Sequence, residues 1–473
     1  MRGVVYMDSK VWKLGICVLV AVIILLLPTP AGLTVAAWQL FAMYLAGIFG
    51  LVFRPFPEAV VLLSVIAVSG LAFGNMGALL SGYASSSAWL VFSAFMIGTA
   101  FISSGLGRRV AYILIGKFGR TTLRLGYVAA VTDLAISPAT PSNTARTGGI
   151  VYPIFRSIAV ALDSNPGATA RRVGAYMTLT LYYISFTTGY TFLTAMAPNV
   201  LILSFANSIL KVQVDWILWA KAAIIPGLVT LFLIPWVVYK LYPPEIKKID
   251  NVVLAEKGLA ELGPISRREK TLAVLFVLAV LGWALGSFFK IDATAVAVGF
   301  VAACLLTGVI TWDNILGSKS AWSTFMWYGG IIGLADALSR AKFFEWLAKL
   351  IASNVNFAGV PSLAIMAALV LFSLAIRYLF ASMAAYVATM IPVLFTIALV
   401  AHVPLLPFIF LIAFAAGYGG MLTHYGGALS PVLFGTGYVD QGTWWRIGAM
   451  VALISFLTTF AVGLSWWKII GIW

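Results

Sequence analysis

Charged residues are scarce in this sequence. Of 473 residues only 10% are Asp, Glu, Lys or Arg, while 62% are hydrophobic and the mean hydropathy is +1.03. Soluble domains carry roughly a quarter charged residues, so a water-soluble globule is excluded and a polytopic membrane protein is expected. Histidine is nearly missing: His402 and His424 are all there is, which argues against His-rich metal chemistry. Cys17 and Cys304 each sit in an apolar run and read as packing residues, with no disulfide framework and no C-x-x-C metal site. Acids are few within the apolar stretches, where Asp133 stands nine residues before Ser142 and Asp292 and Asp336 lie near span ends. Proton-coupled pumps usually need an intramembrane carboxylate relay, for which this chain offers few candidates. Also missing are a Walker A loop, a zinc-ligand His pair, a Ser-based elbow and a selectivity-filter run. These absences argue against an ATP-driven or enzymatic role and leave no expected cofactor, catalytic residue or metal site. The net charge of +15 would suggest nucleic acid in a soluble protein. Here it fits basic cytoplasmic loops plus a few buried cations for an anionic substrate, and no nucleic-acid partner is expected.

What the chain has is apolar runs and interfacial anchors. Its 16 Trp and 18 Tyr suffice to anchor many spans at the bilayer surface. Arg2, Lys10 and Lys13 precede a first apolar run with no small-residue cleavage signature, so the run reads as a retained span. Spans are expected at 11–28, 35–53, 58–73 and 87–104, then an amphipathic helix at 108–120. A stretch near 173–210 is expected to break at 187–189 and 197–199, and a further span runs over 217–240. The segment 240–270 holds seven Lys/Arg against five acids and reads as a soluble connector. Beyond it come spans near 271–288, 293–310 and 321–338, an amphipathic segment at 340–351, and spans at 405–436 (interrupted over 417–430) and 445–467.

The organising stretch is 137–153, SPATPSNTARTGGIVYP. Three prolines, two glycines and a dense run of Ser, Thr and Asn stand between two apolar arms that are short for the roughly 20 residues of a span. Freed backbone groups find no water in hydrocarbon, so such a stretch survives at membrane depth only beside protein or a wet cavity. It reads as the tip of a re-entrant hairpin over 123–163, and a second short-armed pair surrounds residues 380–384 within 360–401. The order then repeats: 105–117 matches 338–349, each is followed by a short-armed hairpin and a broken span, and 195–201 resembles 428–433. The expectation is an all-α protein of about 11 transmembrane helices plus two hairpins, arranged as two inverted repeats. Its divisions are 1–34, an N-terminal span; 35–240, the first repeat; 241–270, a cytoplasmic linker; and 271–473, the second repeat.

Orientation follows from the basic residues. With the N-terminus cytoplasmic, Arg54, Arg108, Arg109, Lys117, Arg120, Arg124, Arg171, Arg172, Lys319 and the linker share that side. The other side holds Lys211, Lys290, Arg340, Lys342, Lys349 and Lys468, and the C-terminus lies outside.

Candidate binding residues cluster at the tips and breaks. Ser142, Asn143 and Thr144 offer donors for a carboxylate beside a helix N-terminus that favours an anion. Arg146 follows within the second arm, carrying a permanent charge suited to bidentate carboxylate pairing. At the second tip Ser382 stands alone, with Arg377 five residues before it in an apolar arm. The breaks add Thr188 and Asn199 in the first half, and Thr423, His424 and Ser430 in the second. As a cation His424 would attract a carboxylate and make transport depend on pH. Asn143→Ala and Arg146→Ala are expected to impair binding without unfolding the protein.

TPSNTART-GG-x-x-Y-P at 140–153, with residues 378–382, 422–426, 434–438 and Trp444-Trp445, resembles the divalent anion:sodium symporter family. The resemblance is nearest to its citrate/succinate and tartrate/succinate antiporters and plastid 2-oxoglutarate/malate translocators. It implies a homodimer with a scaffold and a transport domain that moves as an elevator, holding substrate between the two tips and the two broken spans. Matched by position, Ser142, Asn143 and Thr144 belong to one tip and Ser382 to the other. The second Ser-Asn-Thr of sodium-coupled members is replaced by Ser382-Met383-Ala384, and Arg377 stands where the antiporters usually have His. A substrate dianion crossing hydrocarbon needs its charge balanced, by sodium in a symporter or by fixed cations such as Arg146, Arg377 and His424 in an exchanger. The expected function is therefore sodium-independent antiport of di- or tricarboxylates (succinate, malate, 2-oxoglutarate, tartrate or citrate). A sodium-coupled symporter is the alternative, and an anion channel or a membrane-embedded enzyme the outlying ones. With no transit peptide, a prokaryotic inner membrane is the expected location.

Overall fold

Helix starts in this chain are set by short polar side chains. Thr34, Ser85, Asp215, Ser266, Ser382 and Asp440 each accept a hydrogen bond from the backbone N–H three residues on. The computed structural model describes residues 2–473. The first half runs α1 (Arg2–Leu26), α2 (Val35–Phe53), α3 (Glu58–Phe73), α4 (Met76–Leu80), α5 (Ser86–Ser104), α6 (Leu106–Phe118), α7 (Thr122–Ile136) and α8 (Tyr152–Ala161). It continues with α9 (Gly174–Thr191), α10 (Ala197–Phe205) and α11 (Trp216–Leu241), and α12 (Asn251–Leu262) lies between the halves. Then follow α13 (Arg267–Phe289), α14 (Ala293–Leu306), α15 (Trp312–Leu316), α16 (Lys319–Arg340), α17 (Phe343–Asn354) and α18 (Ser362–Arg377). The chain ends with α19 (Met383–Val400), α20 (Leu405–Tyr418), α21 (Ser430–Phe434), α22 (Gln441–Thr458) and α23 (Leu464–Ile469). Among the described residues there is no strand beyond an isolated bridge between Thr121 and Lys248. Six helical stretches among the described residues are long and apolar enough to cross a membrane.

Two prolines inside helices show how the packing is locked. Pro392 in α19 and Pro226 in α11 lack the N–H that would bond to the carbonyls of Ala388 and Ala222. Each orphaned carbonyl takes an aromatic donor from another helix: the Tyr44 hydroxyl reaches Ala388 at 2.6 Å, and the Trp467 indole N–H reaches Ala222 at 2.9 Å. The chain centre is α9, buried along its whole length, with α20 beside it. Close backbone approach joins α16 to the turn after α4, where a Cβ on Gly82 would run into the Gly329 carbonyl.

Two expectations need correction. The run 187–189 does not break its helix. Thr187 and Thr191 bond carbonyls of their own helix four residues back, so α9 continues to Thr191 and the break falls at residues 192–196. The 241–270 segment is also more than a connector. Its helix α12 packs on α6, Asn251 Nδ2 donates to the Ile115 and Gly116 carbonyls at 2.9 and 2.7 Å, and Glu269 accepts two bonds from Arg109.

Candidate functional site

The first tip is built around a buried ion pair. Pro138 ends α7 in a 3-10 turn, and residues Thr144–Val151 return as a π-helix that leads into α8. Ser142 Oγ accepts from the Ala145 N–H at 3.3 Å and so caps the returning arm. Arg146, fully buried, donates from Nε to Asp133 Oδ2 at 3.0 Å, and Asp133 is buried equally. Its Nη1 donates to the Thr140 and Ala195 carbonyls at 2.9 and 3.1 Å. Its Nη2 lies 3.1 Å from Asn143 Oδ1, 3.1 Å from the Ser185 carbonyl and 3.0 Å from the Thr188 hydroxyl. Thr147 and Thr188 complete the Asp133 carboxylate with hydroxyl donors. Every Arg146 donor is thus engaged, which fixes the tip to α7, α9 and the break after α9. Asn199 Nδ2 serves that break too, donating to the Gly189 and Phe192 carbonyls at 2.8 and 3.1 Å.

The second tip joins α18 to α19 through residues 378–382. Arg377 is buried and donates from Nη1 to the Phe380 carbonyl at 2.6 Å and from Nη2 to the Gly426 carbonyl. Its guanidinium lies over the Tyr386 ring, 5.3 Å from the centroid. Among the described residues it has no carboxylate partner, and its Nε has no hydrogen-bond acceptor. Ser382 caps α19 by accepting from the Ala385 N–H at 3.2 Å.

The second break, after α20, hangs on Tyr182 of α9. Its hydroxyl lies 2.8 Å from the Gly420 carbonyl, 2.9 Å from that of Thr423 and 2.8 Å from the Ser430 hydroxyl. His424 Nδ1 accepts from the Trp445 indole N–H at 2.9 Å. Phe434 and Trp445 flank its ring.

These elements meet at a cavity of about 670 Å³. Ser142, Asn143, Thr144 and Ser382 all line it, together with Met196–Pro198 of the first break and Gly427–Leu429 of the second. Arg146, Thr188, Asn199, Arg377, Thr423, His424 and Ser430 are not in its lining. They stand behind it and hold the tips and breaks in place. The lining also includes Lys10, Arg54 and Glu58, which the sequence did not nominate as binding residues. Arg54, a topology marker in the sequence, pairs with Glu58 at 2.7 Å across the turn between α2 and α3, a contact that no helical spacing rule foretells. A second cavity of about 690 Å³ is lined by Asp215, Lys290, Asp292 and Asp336 among others and touches none of the nominated residues.

A model of the family described as "Sodium:sulfate symporter transmembrane region" matches residues 8–473. The chain belongs to the divalent anion:sodium symporter family. As a member of that family it is a multi-pass membrane transporter and not an enzyme. It is 48% identical to the inner membrane protein YbhI of Escherichia coli over 472 residues, covering 98% of this chain and 99% of that one. It is 36% identical to the L-tartrate/succinate antiporter of the same species over 485 aligned residues, with 98% and 99% covered. Among solved structures, the YdaH transporter of Alcanivorax borkumensis matches with a TM-score of 0.55 at 14% identity, covering 87% of this chain and 97% of that one. At that identity the likeness speaks for the transporter fold alone.

Proposed function

We propose that this divalent anion:sodium symporter family member exchanges C4 to C6 di- and tricarboxylates by sodium-independent antiport. The observation that carries the reading is the meeting of the Ser142-Asn143-Thr144 tip and the Ser382 tip at one cavity, backed by the buried Arg377 guanidinium, which has no carboxylate partner among the described residues. Hydroxyl and amide donors at two opposed helix N-termini suit a substrate with a carboxylate at each end. The 36% identity to a tartrate/succinate antiporter supports the same class. Asp133 neutralises Arg146, so the charge that balances the substrate comes from Arg377 behind the second tip and Lys10 in the cavity wall. A site left positive without substrate is costly to move through hydrocarbon, which favours exchange over net transport.

In this reading the pairs α7–α8 and α18–α19 are re-entrant hairpins, and the stretches 35–240 and 271–473 are inverted repeats. The molecule is a homodimer whose transport domain moves as an elevator against a scaffold, with the N-terminus cytoplasmic and the C-terminus outside. The paired tips and breaks in corresponding places of the two halves support this arrangement.

The test is uptake of labelled succinate into proteoliposomes that are empty or loaded with succinate, malate, 2-oxoglutarate, tartrate or citrate, each with and without sodium. Uptake only into loaded vesicles, indifferent to sodium, is the expected result. Sodium-driven uptake into empty vesicles would make the protein a symporter and remove the fixed-cation argument.

A further inference from the structure

A carboxylate of the protein itself faces the second tip. Glu58, in the first turn of α3, accepts from the Ser382 hydroxyl at 3.1 Å and from Arg54 Nη2 at 2.7 Å, both on Oε1. The Ser382 oxygen already accepts from the Ala385 N–H, so its hydrogen is committed to Glu58. The N-terminus of α19, an 18-residue helix, adds its partial positive charge behind that hydroxyl. Glu58 Oε1 therefore sits where a substrate carboxylate oxygen would be held: on a capping hydroxyl, at a helix N-terminus, inside the cavity both tips share. The bond joins residues 324 apart in the chain and ties the tip to the Arg54–Glu58 wall.

We propose that Glu58 is a built-in competitor that sets the apparent affinity of the carrier. Substrate gains Ser382 only by displacing Glu58, and until it does so the second tip is tethered to the α2–α3 turn. Displacement is cheap, because Glu58 keeps its Arg54 partner and its side chain is 23% exposed, so no buried charge is stranded. The tether also gives a second reason for exchange: a tip that stays bonded to the wall moves only when a substrate carboxylate replaces Glu58. This inference rests on the carboxylate reading of the site.

The test compares wild type with Glu58→Gln and Glu58→Asp in proteoliposomes. Gln removes the charge, whereas Asp keeps the charge on a side chain one methylene too short to reach Ser382. Both are expected to lower the KM for succinate exchange by about threefold to tenfold, the scale of one net hydrogen bond. Both should also raise uptake into empty relative to loaded vesicles. An unchanged or raised KM in both overturns the proposal. So does a lowered KM in Glu58→Gln alone, which would mean a long-range charge effect without displacement. Failure of wild type to exchange any carboxylate would sink the proposed function instead.

Discussion

Replacing Asp133 by Asn removes the carboxylate that balances Arg146. The pair sits at 3.0 Å with both side chains fully buried. At an effective dielectric of about 20 its attraction is about 5 kcal/mol. Arg146 would keep its carbonyl acceptors at Thr140, Ala195 and Ser185, which softens the loss. The expected destabilisation is therefore about 3 kcal/mol, the lower end of what stranding one partner of a buried pair costs. Unfolding in mixed detergent micelles, followed by tryptophan fluorescence, measures it. Arg146→Ala should cost a similar amount, which revises the expectation that it impairs binding alone. The decisive variant is the double, Asp133→Asn with Arg146→Gln, in which two neutral amides can bond to each other. It should recover at least half of the lost stability and exchange succinate with a KM within about threefold of wild type, because pair removal strands no charge. An Asp133→Asn protein as stable as wild type would refute the strut. A double variant that folds normally but no longer binds would make Arg146 a substrate-contacting charge.

Other outcomes follow from single contacts. Thr144→Val keeps the shape of a cavity-lining side chain and removes its hydroxyl, so succinate exchange should show a KM raised about threefold to tenfold at unchanged thermal stability. Tyr44→Phe leaves the Ala388 carbonyl, already robbed of its helix partner by Pro392, without a donor, and should destabilise by about 1–3 kcal/mol in the same micelle assay. Gly426→Ala places a Cβ against the Gly420 backbone carbonyl, where neither chain can yield. Size-exclusion profiles of the solubilised protein should show it aggregated, while Gly77→Ala, which meets nothing, should elute as wild type does.

The sequence allowed most of the long helices to be placed within a few residues, although α1 starts at Arg2 rather than 11 and α12 lies inside the expected connector, because lipid demands apolar runs of a fixed length and capping residues mark where they start. The tips were legible for a related reason: 137–153 carries backbone-breaking and polar residues that hydrocarbon does not tolerate. Where reading failed, polarity was mistaken for interruption or for exposure. Thr187 and Thr191 are polar yet helical, since their hydroxyls bond carbonyls within α9, Thr188 spends its hydrogen on Asp133, and the break waits until residues 192–196. Arg146 looked available because its partner is on another helix, and no spacing rule links position 133 to 146 across a tip.

Glu58 was invisible for the same reason at longer range. Its own neighbourhood explains only the Arg54 pair, and the contact that gives it meaning lies 324 residues away. Charge in a membrane transporter thus has to be read in pairs. Arg146 with Asp133 is neutral and structural, and Arg54 with Glu58 is neutral and faces the cavity. Arg377, bonded among the described residues to carbonyls and a ring face, is the charge that the proposed reading sets beside the tips, with Lys10 in the cavity wall. The +15 of the whole chain says nothing about that site. If Arg377→Met, which keeps the apolar stem and removes the charge, exchanged succinate with an unchanged KM and still took up nothing into empty vesicles, the balance of charge would have to come from elsewhere. Uptake into empty vesicles by that variant, with weaker binding, is the result this assignment of charge requires.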